Sequence, residues 1–335
     1  MKTVVDVARL AGVSVSTASR VLSGRGYASK MTRQRVLQAA SELGYVPNQV
    51  ARSLRLNRTK LIGLLISDVE NTFYSIIAKN VESVAKAEGY HVVLCNSNDD
   101  PEEEKGYLNL LEMMKVDGLI ITPTAANQNI LEGLKLRNIA IVQIDRMVEG
   151  FQADTVLVDN EAGAVSVVSH LIEAGHKRIG ILCGSLEVTT GKQRLAGYTL
   201  AMKEHNIPFN PDLVRSGSFK HDHAVDDVNS LLDVIPAPTA IFAANNILAE
   251  ACLSVFASRA LRVPEDISLV AFDDINWMSI KKPLITTVHQ PIAEMAKSAA
   301  KLLLRRLQTL EEMSPTIMIF QPTLITRDSV AYNRT

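Results

Sequence analysis

"DVARLAGVSVSTASRVLSG", Asp6 to Gly24, decides how the chain begins. Val4 to Ala11 and Val15 to Leu22 each read as a short helix, and "GVS" lies between them. Gly12 is suited to the positive φ that ends one helix, and Ser14 is suited to cap the next. Ala8 is small enough for the second helix to cross closely over the first, with Val7, Val13, Val21 and Leu22 filling a small core. Thr32 is expected to cap a third helix, "RQRVLQAASELGY", in which Val36, Leu37, Ala40 and Leu43 are the apolar positions and Gly44 is the stop. Pro47 and Asn48 then open a short segment, "QVARSLRLN". The pattern predicts an all-α helix-turn-helix head over residues 1–46.

Charge separates this head from the rest of the chain. The formal net charge is only -1, yet residues 1–60 hold eleven Lys and Arg against Asp6 and Glu42, so the remaining 275 residues are strongly acidic. A basic head on an acidic body suggests that the head meets a polyanion which the body repels. With 47% hydrophobic and 21% charged residues in 335, the composition is that of a globular protein of two or three domains. No apolar run approaches the roughly 20 residues of a membrane span. Asp6 and Arg9 stand where an export signal would need apolar residues, so a cytoplasmic protein is expected. Cys95, Cys183 and Cys252 have no metal-ligand spacing and read as buried small hydrophobes.

From Leu61 the pattern becomes apolar strands alternating with amphipathic helices. "LIGLLI", "HVVLCN", "GLIITP", "AIVQID" and "TVLVD" form a first cycle; "RIGILCG", "AIFAAN" and "ISLVAFDD" belong to a second. Short continuous apolar strands joined by helices imply parallel sheets covered on both faces. Two doubly wound parallel-sheet lobes are expected within residues 61–335: lobe 1 over about 61–160 and 289–322, lobe 2 over about 161–288 and 323–335. Ligands of such sheets sit beyond the carboxyl ends of the strands, where Ser67, Asn71, Asp145, Arg146, Arg194, Asn245, Asn246, Asp273, Asp274 and Gln290 gather. Phe73, Tyr74, Phe219 and Phe272 stand beside them. Carboxylates and guanidinium forks with flat aromatic faces suit a small polyol.

Enzymatic readings find little support. G-x-S-x-G, H-E-x-x-H and phosphate-loop patterns are missing, and neither a cofactor nor a metal is expected. His221 and His223 in "KHDHA" read as a solvated loop, and His176 as packing at a helix end. Asp273 and Asp274 have no accompanying nucleophile.

The opening stretch, followed by "TRQRVLQAASELGYVPNQVARSLR", "IGLLISDVENTFY", "HLIEAGHKRIGIL", "VPEDISLVAFDD" and "TTVHQP", resembles the lactose-repressor and galactose-repressor family of bacterial transcription regulators over nearly the whole chain. That resemblance implies base-edge contacts for Val15, Ser16 and Arg20 in the major groove, with further DNA contact at Val4. It places phosphate contacts at Ser14, Thr17, Ser19, Thr32, Tyr45 and Asn48. "NQVARSLR" is similar to the family's hinge helix within a 47–60 linker; there Leu54, flanked by Arg52 and Arg55, is wedged into the minor groove. The body resembles periplasmic sugar-binding proteins of the ribose type. This likeness implies effector contacts at Ser67, Asn71, Phe73, Tyr74, Asp145, Arg146, Arg194, Phe219, Asn245, Asp273 and Gln290. Asn246 stands where an acid is commoner, Glu70 and Thr72 are unusual neighbours of Asn71, and the purine-sensing branch has an arginine at the position of Val188.

The implied function is a repressor of a carbohydrate-utilisation operon that leaves palindromic operator DNA when a sugar or sugar acid binds. The alternative is a repressor or activator using a corepressor: a sugar phosphate, a nucleobase or a phosphoprotein. No heptad run closes the sequence, so a homodimer is expected.

Overall fold

The computed structural model describes residues 2–22, 27–45, 58–217, 219, 221–309 and 313–333. They fall into two units, Met1–Thr59 and Lys60–Thr335.

In the first unit, α1 (Val4–Ala11) starts at a capping box: the Asp6 N–H donates to Thr3 Oγ1, and the Thr3 N–H donates to the Asp6 carboxylate at 2.9 Å. Gly12 ends it with φ 61°. A Cβ at Gly12 would lie 2.7 Å from the Arg35 guanidinium, which donates to the carbonyls of Ala11 and Gly12. Ser14 Oγ accepts the Thr17 N–H at 3.1 Å and so caps α2 (Val15–Leu22). The third helix, α3 (Lys30–Glu42), departs from expectation at its start. Its cap is Ser29, whose Oγ accepts the Thr32 N–H at 3.2 Å, because the helix begins two residues before Thr32. The core consists of Val7, Ala8, Ala11, Ala18, Val21, Val36, Ala39 and Ala40, with Val13 and Leu22 at its edge. Leu37 is 51% exposed, since the inward face runs through Val36, Ala39, Ala40 and Leu43 instead.

The second unit carries two six-stranded sheets. The first takes β1 (Leu61–Ile66), β2 (His91–Asn96), β3 (Gly118–Ile121), β4 (Ala140–Ile144) and β5 (Asp154–Val158) in the order β2-β1-β3-β4-β5. The other takes β6 (Ile179–Leu182), β7 (Val214–Arg215), β8 (Ala240–Ala243), β9 (Ser268–Phe272) and β10 (Thr286–His289) in the same winding, β7-β6-β8-β9-β10. Two late strands complete the edges: β11 (Ile317–Phe320) pairs parallel with β5, and β12 (Thr323–Ile325) pairs antiparallel with β10.

Alternation along the strands covers both faces of the first sheet. Leu64 and Ile66 point to the core shared with α4 (Thr72–Ala87), whereas Leu65 points to a separate cluster with Leu108 and Leu111 of α5 (Pro101–Met113) and Leu131 of α6 (Gln128–Leu136). The second sheet is covered by α7 (Asn160–Glu173), α8 (Thr189–Glu204), α9 (His221–Leu232) and α10 (Asn246–Ser258). His221 therefore opens a helix, not the polar loop that its sequence suggested. The long α11 (Ile292–Gln308) follows β10 yet packs on α4, β3, β4 and β5 of the first lobe. The chain thus passes between the lobes three times: after β5, after β10 and after β11. These crossings lie together, for the Asp159 N–H donates to the Phe320 carbonyl at 2.9 Å and His289 pairs with Thr323.

Candidate ligand pocket and DNA-reading face

Both sheets point the carboxyl ends of their strands at one cavity of about 630 Å³. Ser67, Asn71, Phe73, Tyr74, Asp145, Arg146, Arg194, Phe219, Asn245, Asp273 and Gln290 all line it. Ser67 follows β1, Asp145 and Arg146 follow β4, Asn245 follows β8, Asp273 follows β9 and Gln290 follows β10; Arg194 reaches in from α8. Asp145 and Asp273, at matching strand ends, hold left-handed backbones with φ 68° and 71°. Residues other than glycine hold that conformation at some energetic expense, which functional sites commonly bear.

The electrostatics of the cavity are dense. Arg146 Nη1 lies 2.5 Å from Asp99 Oδ1, its Nη2 donates to the Tyr74 hydroxyl at 3.2 Å, and its Nε stands 3.5 Å from Asp145. Its guanidinium also faces the Phe219 ring at 5.6 Å. The Phe219 ring rests on Gly184, where a Cβ would meet it at 2.2 Å. Arg194 Nε donates to Asn160 at 2.8 Å, its Nη1 donates to the Ala244 carbonyl at 2.5 Å, and its plane lies 3.8 Å from the Phe272 ring. Asp273 accepts from Gln290 Nε2 at 2.6 Å and from the Asn246 N–H at 3.4 Å. Burial raises the pKa of Asp145 and of Asp273 against the opposing pull of the arginines. The Tyr74 hydroxyl is likewise pushed up by burial.

Some residues grouped with these at strand ends serve elsewhere. Phe272 is fully buried beneath Arg194 and does not line the cavity. Asp274 turns away to an ion pair with Arg327 at 2.7 Å. Asn246 acts across the cleft, its Nδ2 donating to Asn71 Oδ1 at 3.2 Å. His176 is buried between Thr239 Oγ1 at 2.9 Å and the Ala331 carbonyl at 3.0 Å. The sequence reading overlooked Asp68, Asn98, Asp99, Thr190, Ile247 and Glu250, which also line the cavity. Asn98 and Asp99 follow β2 and obey the strand-end rule that found the others; Ile247 and Glu250 sit inside α10, where no sequence signal marks them. Among the described residues no group of three His, Cys, Asp or Glu side chains could hold a metal.

On the head, α2 presents Val15, Ser16 and Arg20 to solvent. Val15 is 43% exposed and so is not spent on the core. Ser14 Oγ lies 2.9 Å from Ser16 Oγ and 2.8 Å from Thr17 Oγ1, forming a small hydroxyl cluster at the start of α2. Thr17, Ser19 and Thr32 are half-buried; Val4 and Tyr45 pack at the edge of the core. Tyr27, 91% exposed, was not marked by the sequence reading, although a lone aromatic in a basic segment could have drawn notice. Asn48, Arg52, Leu54 and Arg55 lie outside the described residues.

Two family models match the chain: "Bacterial regulatory proteins, lacI family" over residues 3–48 and "Periplasmic binding protein-like domain" over 168–330. A relative called HTH-type transcriptional repressor PurR, from Aliivibrio salmonicida, is 35% identical over 98% of this chain and 99% of its own. Among solved structures, the lac repressor dimer bound to operator and the anti-inducer ONPF superposes with a TM-score of 0.84 at 27% identity, covering 98% of this chain and 99% of that one. A complex of the transcriptional regulator CelR with cellobiose superposes at 0.74 with 30% identity, covering 98% and 100%.

Proposed function

Because the chain belongs to the lacI family of bacterial regulatory proteins, we propose that it is a homodimeric repressor which leaves a palindromic operator when a sugar-type effector binds. Membership makes it a DNA-binding transcriptional regulator and not an enzyme. The observation that carries the finer reading is the cavity into which both sheets direct acids, amides and aromatic rings, the recognition chemistry of a small polyol. In this reading residues 1–46 read DNA, 47–60 are hinge and linker, and 61–335 bind the effector and dimerise. Val15, Ser16 and Arg20 meet base edges, and two heads on matching half-sites double contacts that one head alone would supply too sparsely. Operator DNA places the protein in the cytoplasm, and among the described residues no helix is long and apolar enough to cross a membrane.

Mobility-shift titration of operator fragments with a panel of sugars tests this. A sugar that releases the shifted complex is the expected outcome; one that strengthens it makes the ligand a corepressor, and a protein with no preference for any duplex over random competitor overturns the proposal. Leu54→Ala in the same assay should weaken specific binding while leaving the salt slope almost unchanged, since the wedge carries no charge.

A further inference from the structure

Among the described residues six carboxylates line the cavity, Asp68, Glu70, Asp99, Asp145, Glu250 and Asp273, against two guanidinium groups, Arg146 and Arg194. Neither arginine presents an unused fork. Arg146 is bidentate on Asp99, at 2.5 and 3.4 Å, with Asp145 at its Nε side. Two of the three nitrogens of Arg194 are held by Asn160 and by the Ala244 carbonyl. A carboxylate or phosphate is bound best by a fork that is otherwise uncommitted. Here both forks already neutralise or brace the protein's own groups.

Unused hydrogen-bonding capacity lies beside them: the buried Arg146 Nε has no hydrogen-bond partner, but it already faces the Asp145 carboxylate at 3.5 Å. Gln290 is 1% exposed and donates its amide to the acid Asp273, which leaves Oε1 as an acceptor with no partner. Thr190 Oγ1, on the cavity wall and buried, has no partner either. Buried polar atoms without partners are rare, and those at a binding site are normally met by the ligand. Among the described residues Asp68, Glu70 and Glu250 have no cation within ion-pair distance. Among the described residues, carboxylates on the cavity wall thus outnumber guanidinium groups six to two.

Resting on the reading of this cavity as the effector site, we propose that it is charge-selective: it takes hydroxyl- or amine-rich polyols carrying no negative charge and rejects sugar acids and sugar phosphates. Separate hydroxyls of one polyol can donate to Asp145, Asp273 and Gln290 Oε1, whereas an anion adds a like charge to a wall on which the described carboxylates outnumber the guanidinium groups.

The test is calorimetric titration and thermal shift of the full-length protein with matched sets of aldopentoses and aldohexoses. Each set contains the neutral sugar, its carboxylate, its phosphate ester and its 2-amino-2-deoxy form. The expected result is binding by at least one neutral or amino member, with its carboxylate and phosphate forms at least roughly 10-fold weaker at low salt and the gap narrowing as salt screens the charges. The triple variant Asp68→Asn, Glu70→Gln, Glu250→Gln should narrow the same gap several-fold at constant salt, which a purely steric exclusion would not do. A carboxylate or phosphate that binds as tightly as its neutral parent overturns the charge selectivity and leaves the effector reading standing. Absence of binding in every arm, neutral ones included, overturns the effector reading and this proposal with it.

Discussion

Asp145 and Asp273 show how much a single side chain is asked to do in this cleft. Each is buried, each has a left-handed backbone, and burial lifts each carboxyl above its ordinary value of 3.8. A carboxyl raised in the folded state holds its proton more firmly there than in the unfolded chain. In the window from 3.8 up to the raised value, these two groups therefore erode stability as pH rises, and acidification through the window relieves the folded protein. Ligand hydroxyls prefer the ionised form as acceptor, so effector binding should expel protons within that window and weaken as pH falls through it. Titration calorimetry in buffers of different ionisation enthalpy measures this directly; uptake of protons on binding would contradict the assignment. Asp273→Asn should keep operator binding but weaken the effector by roughly 10- to 100-fold, as expected for loss of charge-assisted hydrogen bonds of about 1.5–3 kcal/mol. Asparagine is the informative replacement because it tolerates φ 71° better than alanine does. The candidate residues were legible in the sequence because strand ends are easy to find. Their pairing was not: that Arg146 answers to Asp99, 47 residues earlier, follows only from the positions of β2 and β4.

At the scale of single elements, the head is a set of helices whose ends are fixed by short polar side chains. Gly12 and Ser14 were readable because glycine and serine carry a local mechanism at a helix boundary. Thr32 misled because it is itself a good cap, and only the position of α3 shows that Ser29 holds the end. Ser29→Ala should therefore lower the stability of the head by about 1 kcal/mol, with Thr32→Val costing less because its N–H remains to be capped. Hydrogen exchange of amides in α3 distinguishes the two, and a larger effect of Thr32→Val would show the cap misplaced. The same limit explains His221: "KHDHA" has the composition of a loop, yet His221 opens α9, a helix packed against α10 and β6.

On the scale of the whole molecule, alternation of apolar strands and amphipathic helices made two parallel lobes visible, with residues from about 289 expected to return to the first lobe. What the sequence could not disclose was contact across the cleft, since Asn71 and Asn246 lie 175 residues apart. Their hydrogen bond joins the lobes while the cavity stands between them. Asn246→Asp replaces the donor with an acceptor facing Asn71 Oδ1, so effector affinity should fall by roughly 2- to 10-fold, the worth of a hydrogen bond of about 0.5–1.5 kcal/mol. Unaltered affinity in titration calorimetry would show that the bond plays no part in holding the cleft.

The three crossings after β5, β10 and β11 lie edge to edge. Parallel tethers of this kind let two jaws swing but not slide past one another. Such a frame can exchange one chemical stimulus for another by altering the teeth while the tethers stay as they are.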